Sequence, residues 1–303
     1  MLNNLRFSIP ALVVALGFSM MSTAVEHRAP PATSSQKSSQ QSLRLYVFDC
    51  GTLHIADLGR FSLKPTEVAT SDLAVACFLV VHPNGTLMWD VGAVPDADWT
   101  PTGSRLVHRL ELPEGQSRDI DLIKPLAVQL KEAGYSAGQI TYLALSHYQY
   151  DHTANANDFA SSTWLVRKEE RDAMFADKAP GTTQPSSYAA LRNAKTVLIQ
   201  TADYDVFGDE TVVIKSAPGH TPGHQVLALK LVHSGRILLS GDLYHYPEER
   251  KLDRVPTFEF NADQTRASRE AVEEFLRRTG AQLWIQHDFL SNAELKKSPA
   301  YYD

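Results

Sequence analysis

The feature that most constrains this 303-residue chain is a row of potential metal ligands directly after an apolar strand. Residues 140–145 predict a buried strand, and residues 147–152 then read His-Tyr-Gln-Tyr-Asp-His. Four of these six side chains can bind or orient a metal ion, and imidazole and carboxylate ligands suit zinc and related ions. Because a strand that ends in a loop projects neighbouring side chains into one cavity, ligands one to five residues apart can converge there. The row therefore predicts a metal site at the end of this strand.

Three other segments place potential ligands just after a predicted strand, each flanked by Gly or Pro. They are Gly219-His220-Thr221-Pro222-Gly223-His224, Ser240-Gly241-Asp242 and His287-Asp288. One such placement carries little weight. Four of them in one chain are hard to obtain from histidines that only pack in a core, so the pattern favours a metal centre.

Periodic apolar segments predict strands first and helices after in each half of the chain. The predicted strands cover residues 43–49, 73–81, 86–90, 140–145, 163–166, 196–199, 211–215, 225–232, 236–240 and 283–285. The predicted helices begin at Pro125, at Lys168 and near Ala267, and the last one ends at Gly280. This order predicts an α/β protein in the α+β sandwich form, with two sheets packed face to face between helices in αββα layers.

Residues 93–120 combine mixed polarity with several Pro and Gly residues, which predicts a long loop. Loops of this length are uncommon unless they are functional. The segment either covers a substrate or makes a packed excursion over the surface. In the first case, Trp99, Leu106 and Leu110 would form an apolar rim.

In this order, the motifs resemble those of the metallo-β-lactamase superfamily, whose pattern is H-x-H-x-D-H, then Gly-His, then Asp, then a late His. The likeness is strongest to the N-acyl homoserine lactonase branch, through Ser146-His147 with Asp151-His152, through the Gly-His-Thr-Pro-Gly-His segment, and through Ser-Gly-Asp at 240–242. It spans residues 43–287. The resemblance implies the αββα metallo-β-lactamase fold for a single domain at residues 43–303.

The resemblance also implies two metal ions that share one bridging carboxylate, Asp242. The other ligands of the first ion would be His147, the residue at position 149 and His220. The other ligands of the second ion would be Asp151, His152 and His287. The implied nucleophile is a hydroxide between the ions, since two adjacent cations lower the pKa of bound water and polarise a carbonyl oxygen. Asp151 would then carry a proton to the leaving alkoxide.

The chain departs from the family pattern at Gln149, where a His is expected. A Gln amide oxygen is a poorer zinc ligand than imidazole. Three interpretations follow: two zinc or other divalent ions with a weakened first site, a one-metal enzyme, or a weakened or inactive relative. Under the first interpretation, Gln149→His is expected to raise both the bound metal and the hydrolytic rate.

A second departure follows the bridging Asp. Lactonases of this branch place a Tyr three residues after that Asp, where it donates a hydrogen bond to the substrate carbonyl. Here position 245 is His, between Tyr244 and Tyr246. Either Tyr244 or His245 is a candidate oxyanion donor, and a packing role is the alternative for each tyrosine. His224, which closes the Gly-His-Thr-Pro-Gly-His segment, is expected to hold that loop through a hydrogen bond rather than to bind metal.

The N-terminus has the pattern of a secretory signal peptide over residues 1–24. Arg6 supplies the basic start, residues 9–18 are apolar, and residues 22–24 offer small side chains for cleavage. The apolar run is shorter than the roughly 20 residues that cross a membrane, although a retained anchor is the alternative. Residues 25–42 are rich in Ser, Gln and Pro and predict a flexible linker. We therefore expect a periplasmic or secreted protein with no stable membrane insertion after cleavage.

Composition narrows the function further. A net charge of −6 argues against a nucleic-acid partner, and two Cys residues are too few for a disulfide scaffold or a Cys-rich zinc site. Because export leads to an oxidising compartment, Cys50 and Cys77 either pair or remain as buried free thiols.

Together these features predict an exported metal-dependent hydrolase, with the lactone ring of N-acyl homoserine lactones as its small-molecule substrate. A β-lactamase shares the fold and is the first alternative. A weakened or non-catalytic relative that binds a lactone or a metal is the second, and Gln149 is the feature that favours it.

Overall fold

The computed structural model describes residues 8, 10, 42–99, 106–111 and 117–303. Apart from residues 8, 10 and 42, the segments predicted as signal peptide and linker lie outside these residues, and both stay predictions. The described residues from 42 onward belong to one compact unit. Within the described part of the chain, no helix has the length and apolar character needed to cross a bilayer.

Nine of the strands in the described residues form the first sheet. They are β1 (Arg44–His54), β2 (Asp72–His82), β3 (Gly85–Trp89), β4 (Leu106–Glu111), β5 (Ser117–Leu122), β6 (Tyr142–Ala144), β7 (Thr163–Arg167), β8 (Thr196–Ile199) and β14 (Tyr301–Tyr302). Their order is β4-β5-β1-β2-β3-β6-β7-β8, with β14 paired to β1. The β2–β3 hairpin turns at the predicted Asn84-Gly85. Strands β3, β6, β7 and β8 run parallel, so their carboxyl ends share one edge.

Five strands form the second sheet, in the order β13-β12-β11-β10-β9. They are β9 (Asp203–Asp205), β10 (Val212–Ser216), β11 (Gln225–Leu231), β12 (Gly235–Leu239) and β13 (Gln282–Trp284). Strand β12 pairs with β13 in parallel, while the other neighbours are antiparallel. The chain therefore leaves β12 and β13 in the same direction.

The helices of the described residues are mostly short. They are α1 (Leu126–Glu132), α2 (Tyr150–Thr153), α3 (Lys168–Met174), α4 (Pro185–Tyr188), α5 (Pro247–Leu252), α6 (Ala262–Thr279) and α7 (Phe289–Glu294). The longest, α6, begins where the Asn261 side chain accepts hydrogen bonds from the amides of Asp263 and Gln264. It ends at Gly280, as predicted, because that residue adopts a left-handed φ of 68°.

Successive side chains of each strand point to opposite faces of the sheet, and this divides the core into layers. In β1, Leu45 and Val47 pack between the two sheets, whereas Tyr46 and Phe48 pack on the outer face of the first sheet. Side chains of α1, α3 and α4 cover that outer face. The outer face of the second sheet packs against Val272 and Leu276 of α6. These layers confirm the predicted αββα sandwich.

The prediction of a long loop over residues 93–120 is wrong, because β4 and β5 form an antiparallel ladder at the edge of the first sheet. These two half-exposed strands carry charged residues, such as Arg109 opposite Asp119, and for this reason the sequence predicted a polar loop. The predicted apolar rim is also wrong for Leu110, which is buried in the core, and for Trp99, which packs against that core. The side chain of Leu106 lies outside the described residues.

The two cysteines form a disulfide. Cys50 and Cys77 join β1 to its neighbour β2, with their Cα atoms 6.0 Å apart, and both residues are buried. The sequence left pairing and free thiols as equal alternatives, and the structure contains the bond.

Candidate metal centre

Parallel strands bring the predicted ligands to one place. Asp90 and His147 follow the parallel strands β3 and β6, and Asp242 and His287 follow the parallel strands β12 and β13. His220 lies in the loop after β10. All five residues are buried. The centre therefore lies at the carboxyl ends of the strands that carry the motifs.

One carboxylate oxygen of Asp242 faces a first group of ligands. Its Oδ1 atom lies 3.0 Å from Nε2 of His152 and 3.1 Å from Nε2 of His287. Oδ2 of Asp151 lies 3.9 Å and 3.7 Å from the same two nitrogens. These atoms can surround one metal ion, and they match the second ligand set implied by the sequence.

The other oxygen of Asp242 faces a different group. Its Oδ2 atom lies 3.6 Å from Nε2 of His147, 3.5 Å from Nε2 of His220 and 3.2 Å from Nε2 of His245. The donor atoms of His220, Asp242 and His245 lie within 4.8 Å of one another, and so do those of His147, His152 and Asp242. Asp242 thus presents one oxygen to each of two adjacent sets of imidazoles.

Each imidazole has a polar group behind its Nδ1 atom: four of these contacts are hydrogen bonds, and the contact of His245 with Glu249 is an ion pair. The groups near Nδ1 are Asp90 Oδ2 for His152 (2.9 Å), Glu259 Oε1 for His220 (2.9 Å), the Ala74 carbonyl for His287 (2.6 Å), Ser146 Oγ for His147 (3.0 Å) and Glu249 Oε1 for His245 (3.2 Å). Carboxylates and carbonyls in this position fix the ring and leave Nε2 to bind a metal.

Several buried donor and acceptor atoms at the centre lack a hydrogen-bond partner among the described residues. They include Nε2 of His147, His152 and His220, and Oδ1 of Asp151 and Asp242. Buried polar atoms are almost always paired, so these atoms fit metal ions as their partners.

Burial and mutual charge set the protonation states. Burial alone would raise the pKa of Asp242, but His287, His152, His147 and His245 lower it well below its usual range. Burial and the neighbouring His152 lower the pKa of His147 well below its usual range. An ionised Asp242 and a neutral His147 are the forms that bind metal.

Two glycines of the motifs are required by close packing. Gly241 has a φ of 49°, and a Cβ atom there would lie 2.6 Å from Nε2 of His224. Gly219 has a φ of 136°, and a Cβ atom there would lie 2.2 Å from the Thr265 amide. Both positions exclude other residues, because the backbone that presents His220 and Asp242 runs against its neighbours.

His224 holds its own loop, as the sequence predicted, and also contacts the loop of Asp242. Its Nδ1 donates to the Ala217 carbonyl at 2.9 Å, and its Nε2 accepts the Asp242 amide at 2.9 Å. Burial and the adjacent His220 lower the pKa of His224 to about 4, which keeps the ring neutral for this paired role.

Three carboxylates that support the centre were not predicted from the sequence. Glu170 is buried and accepts from the amides of Tyr148 and Gly223 and from the Thr221 hydroxyl, and so links two ligand loops. The supporting Glu249 and Glu259 stand in segments without a motif. Periodicity does not distinguish a buried Glu from an exposed one, so the sequence held no specific signal for these residues. Asp90, for which the sequence left an orienting role open, contacts His152 as described above.

Of the two candidate oxyanion donors, Tyr244 lies away from the centre, in the packing role that the sequence left open as the alternative. Its ring packs beneath α6 with Val272, and its hydroxyl donates to Glu273 at 3.2 Å. Because His245 points into the centre, its neighbour in the chain points to the opposite side. Tyr246 also points away from the ligands and donates to the Ser71 carbonyl at 2.9 Å.

A cavity of about 480 Å³ opens onto the ligands. Its wall includes Asp151, Asp242, His245 and His287 from the centre, with Gln149 beside them. Gln149 is half-buried, and no hydrogen bond of its side chain is present among the described residues. The rest of the wall is mixed, with apolar residues (Leu53, Ile55, Ala56, Phe61, Leu73 and Phe258), cationic residues (Arg60, Arg109 and Arg118) and acidic or neutral polar residues (His54, Asp57, Ser117, Asp119, Tyr150 and Thr182).

Residues 70–280 match the model of the metallo-beta-lactamase superfamily, and this segment contains His147, His220 and Asp242. The chain belongs to the metallo-β-lactamase superfamily. As a member of it, the protein is a metal-dependent hydrolase. The superfamily model ends before His287, which the fold nevertheless brings to the centre.

The chain is similar to three proteins of known name or structure. N-acyl homoserine lactonase AttM of Azorhizobium caulinodans is 26% identical over 86% of this chain and 99% of its own length. The structure of a mutant of AiiA from Bacillus thuringiensis with N-decanoyl-L-homoserine bound superposes with a TM-score of 0.70 at 22% identity, covering 86% of this chain and 99% of that one. AidC, a dizinc quorum-quenching lactonase, superposes with a TM-score of 0.62 at 20% identity, covering 86% and 94%. The two structures establish a shared fold.

Proposed function

We propose that this hydrolase opens the lactone ring of N-acyl homoserine lactones, the activity in the name of its relative from Azorhizobium caulinodans. The observation that carries the proposal is the division of ligands around Asp242, which offers one oxygen to each of two adjacent sets of imidazoles. That division suits a pair of divalent ions at the base of a cavity that can hold a small ester.

Zinc is the ion that we propose for both positions. Its preference for imidazole and carboxylate ligands fits the centre, and a dizinc lactonase is among the proteins of similar fold. When bound, two such ions polarise a carbonyl oxygen and lower the pKa of water far enough for hydrolysis at neutral pH. The first ion would be held by His147, His220 and Asp242, and the second by Asp151, His152, His287 and the same Asp242.

Asp151 is the residue to which we assign proton transfer. Its Oδ2 atom faces His152 and His287, while its buried Oδ1 atom has no hydrogen-bond partner among the described residues. Asp151 also lines the cavity. Oδ1 is therefore placed to accept a proton and return it to the alkoxide that leaves when the ring opens.

The cavity wall supports an acyl substrate. Phe61 and Phe258 meet edge to face at 5.2 Å beside His245, and Ile55 adds an aliphatic side chain. These groups offer apolar surface to an acyl chain. The β-lactamase alternative calls for a cation that binds the substrate carboxylate. Arg250 does not line the cavity and pairs with Glu273 at 2.6 Å, whereas Arg60, Arg109 and Arg118 do line it, so the cephalosporin control decides between the two substrates.

The test is ring opening of N-hexanoyl and N-decanoyl homoserine lactones by the protein loaded with zinc, manganese or cobalt. We expect the ring-opened acid as product, with activity lost after chelation. A cephalosporin serves as the control substrate and should not turn over. The proposal fails if a fully metal-loaded protein hydrolyses no lactone under any of the three metals.

We further propose that the protein is exported and acts in the periplasm or outside the cell. The signal-peptide pattern of residues 1–24 supports this, as does the buried disulfide between Cys50 and Cys77, a bond typical of oxidising compartments. Cell fractionation with mass spectrometry of the purified protein tests it. A mature chain that begins near Val25 is expected, and an intact N-terminus in the cytosolic fraction would contradict it.

A further inference from the structure

We propose that His245 is a ligand of the first metal ion and takes the place of the histidine that the family pattern expects at position 149. The inference rests on the metal-dependent function and adds a ligand that the motif does not contain. On this proposal, the chain lacks the imidazole that the family has at position 149 but supplies another from the loop after β12.

The position of His245 is that of a ligand. Its Nε2 atom lies 3.2 Å from Oδ2 of Asp242, the oxygen that also faces His147 and His220. The imidazole rings of His220 and His245 meet at 5.2 Å between centroids. Nε2 atoms of three imidazoles thus lie within 3.6 Å of the same carboxylate oxygen, and imidazole with carboxylate is a ligand chemistry that suits zinc.

His245 is also supported as the other ligands are. Oε1 of the fully buried Glu249 lies 3.2 Å from its Nδ1 atom, an ion-pair contact in the place where Glu259 makes a hydrogen bond with His220 at 2.9 Å. Arg269 fixes Glu249 through a contact of 2.7 Å between Nη2 and Oε2. Burying the charges of Glu249 and Arg269 behind one ring costs desolvation free energy, which packing alone does not explain. A carboxylate behind a ring is also the arrangement that orients metal-binding histidines.

Aromatic neighbours restrict the ring of His245 to this orientation. It stacks parallel to His287 at 5.7 Å and meets the edges of Phe61 at 5.1 Å and Phe258 at 5.5 Å. Gln149 has no comparable support: it is half-buried in the cavity wall, without a side-chain hydrogen bond among the described residues.

The exchange has a chemical consequence. A His that binds metal through Nε2 and faces Glu249 through Nδ1 has no N–H group left to donate to a substrate. A His245 that binds metal therefore cannot also be the oxyanion donor for which the sequence made it a candidate. In this chain, the position that lactonases of the branch give to a substrate-binding Tyr would serve the metal instead.

Metal binding by four forms of the full-length protein tests the proposal: wild type, His245→Ala, Gln149→Ala and the double variant Gln149→His with His245→Ala. Zinc and cobalt per chain are measured after removal of loosely held ion, together with the visible spectrum of the cobalt forms. We expect two ions per chain in wild type and Gln149→Ala, about one in His245→Ala, and recovery toward two in the double variant. Two tightly held ions in His245→Ala, or loss of an ion in Gln149→Ala, would overturn the proposal.

X-ray absorption of the two-zinc wild-type protein gives a second readout that needs no variant to fold. With His245 bound, five imidazoles are shared by two ions: His147, His152, His220, His245 and His287. A count of four would contradict the proposal. Both measurements are independent of lactone turnover, so a protein that binds metal as expected but opens no lactone would reject the proposed substrate and leave the assignment of His245 standing.

Discussion

Among the three imidazole nitrogens around Oδ2 of Asp242, Nε2 of His245 lies nearest, at 3.2 Å. The sequence gives no reason to expect a ligand three residues after the bridging carboxylate. The short 3₁₀ turn at Gly241–Leu243 places Asp242 and His245 on the same side of the chain, toward the centre, and Tyr244 on the other. Asp242 is therefore shared between two complete ligand sets.

Asp242→Asn is expected to weaken both metal positions at once. An amide keeps one oxygen acceptor but loses the charge and the second oxygen that bridge the two sets. Bound zinc should fall from two ions per chain to less than one, and lactone hydrolysis should fall by at least about 100-fold. Asp253→Asn, at a carboxylate whose side chain is 88% exposed, is the matched control and should leave both unchanged. Retention of two ions by Asp242→Asn would show that Asp242 does not bridge.

Gln149→His is expected to change metal content little. The sequence predicted a clear gain from this substitution, because it restores the family histidine. In the proposed centre, His245, 3.2 Å from Asp242, already supplies the third imidazole of the first position. Equilibrium zinc affinity, measured by competition with a chelator, should change by less than about threefold. A tenfold or larger gain would indicate that position 149 is the weak point of the centre.

Glu170 should make stability depend on pH. Burial raises the pKa of its carboxyl to about 7, against opposing hydrogen bonds from Thr221, Gly223 and Tyr148. A Glu in the unfolded chain has a pKa of about 4.3. The stabilisation that Glu170 gives to the fold is therefore fully present below about pH 4 and is lost as the pH rises through about 7. The unfolding free energy of metal-free wild type, relative to Glu170→Gln, should therefore fall by roughly 3 kcal/mol between about pH 4 and about pH 8. A difference that stays constant with pH in urea titrations would rule this out.

The disulfide should stabilise the fold without being needed for its topology. It closes a loop with a sequence separation of 27 between strands that already pair. A cross-link of this span is worth about 3.5 kcal/mol by loop entropy. Cys50→Ala with Cys77→Ala is expected to lose about that much unfolding free energy and to keep the circular dichroism of the wild type. Two free thiols in denatured, unreduced wild-type protein would contradict the bond itself.

The strands and the ligands that follow them were predictable because each motif begins where an apolar segment stops. His147, His152, His220, Asp242 and His287 all converge as that pattern implied. The layers followed from the same alternation, in which Leu45 and Tyr46 face opposite sides of the first sheet.

The rest depended on contacts between distant segments. Whether Tyr244 or His245 faces the centre turns on a local backbone conformation that neither residue type reveals. Glu249 and Glu259 are ordinary charged residues until folding buries them behind two imidazoles. The β4–β5 hairpin escaped prediction because its exposed face is as polar as a loop.

The most direct test of the two-site centre is the number of zinc ions bound per chain by the purified wild-type protein, measured by elemental analysis after loading and exhaustive removal of loosely held ion. Two ions per chain are expected, because each oxygen of Asp242 faces its own set of imidazoles. A single tightly held ion would contradict a complete first position and would restore Gln149 as the defect that the sequence alone suggests.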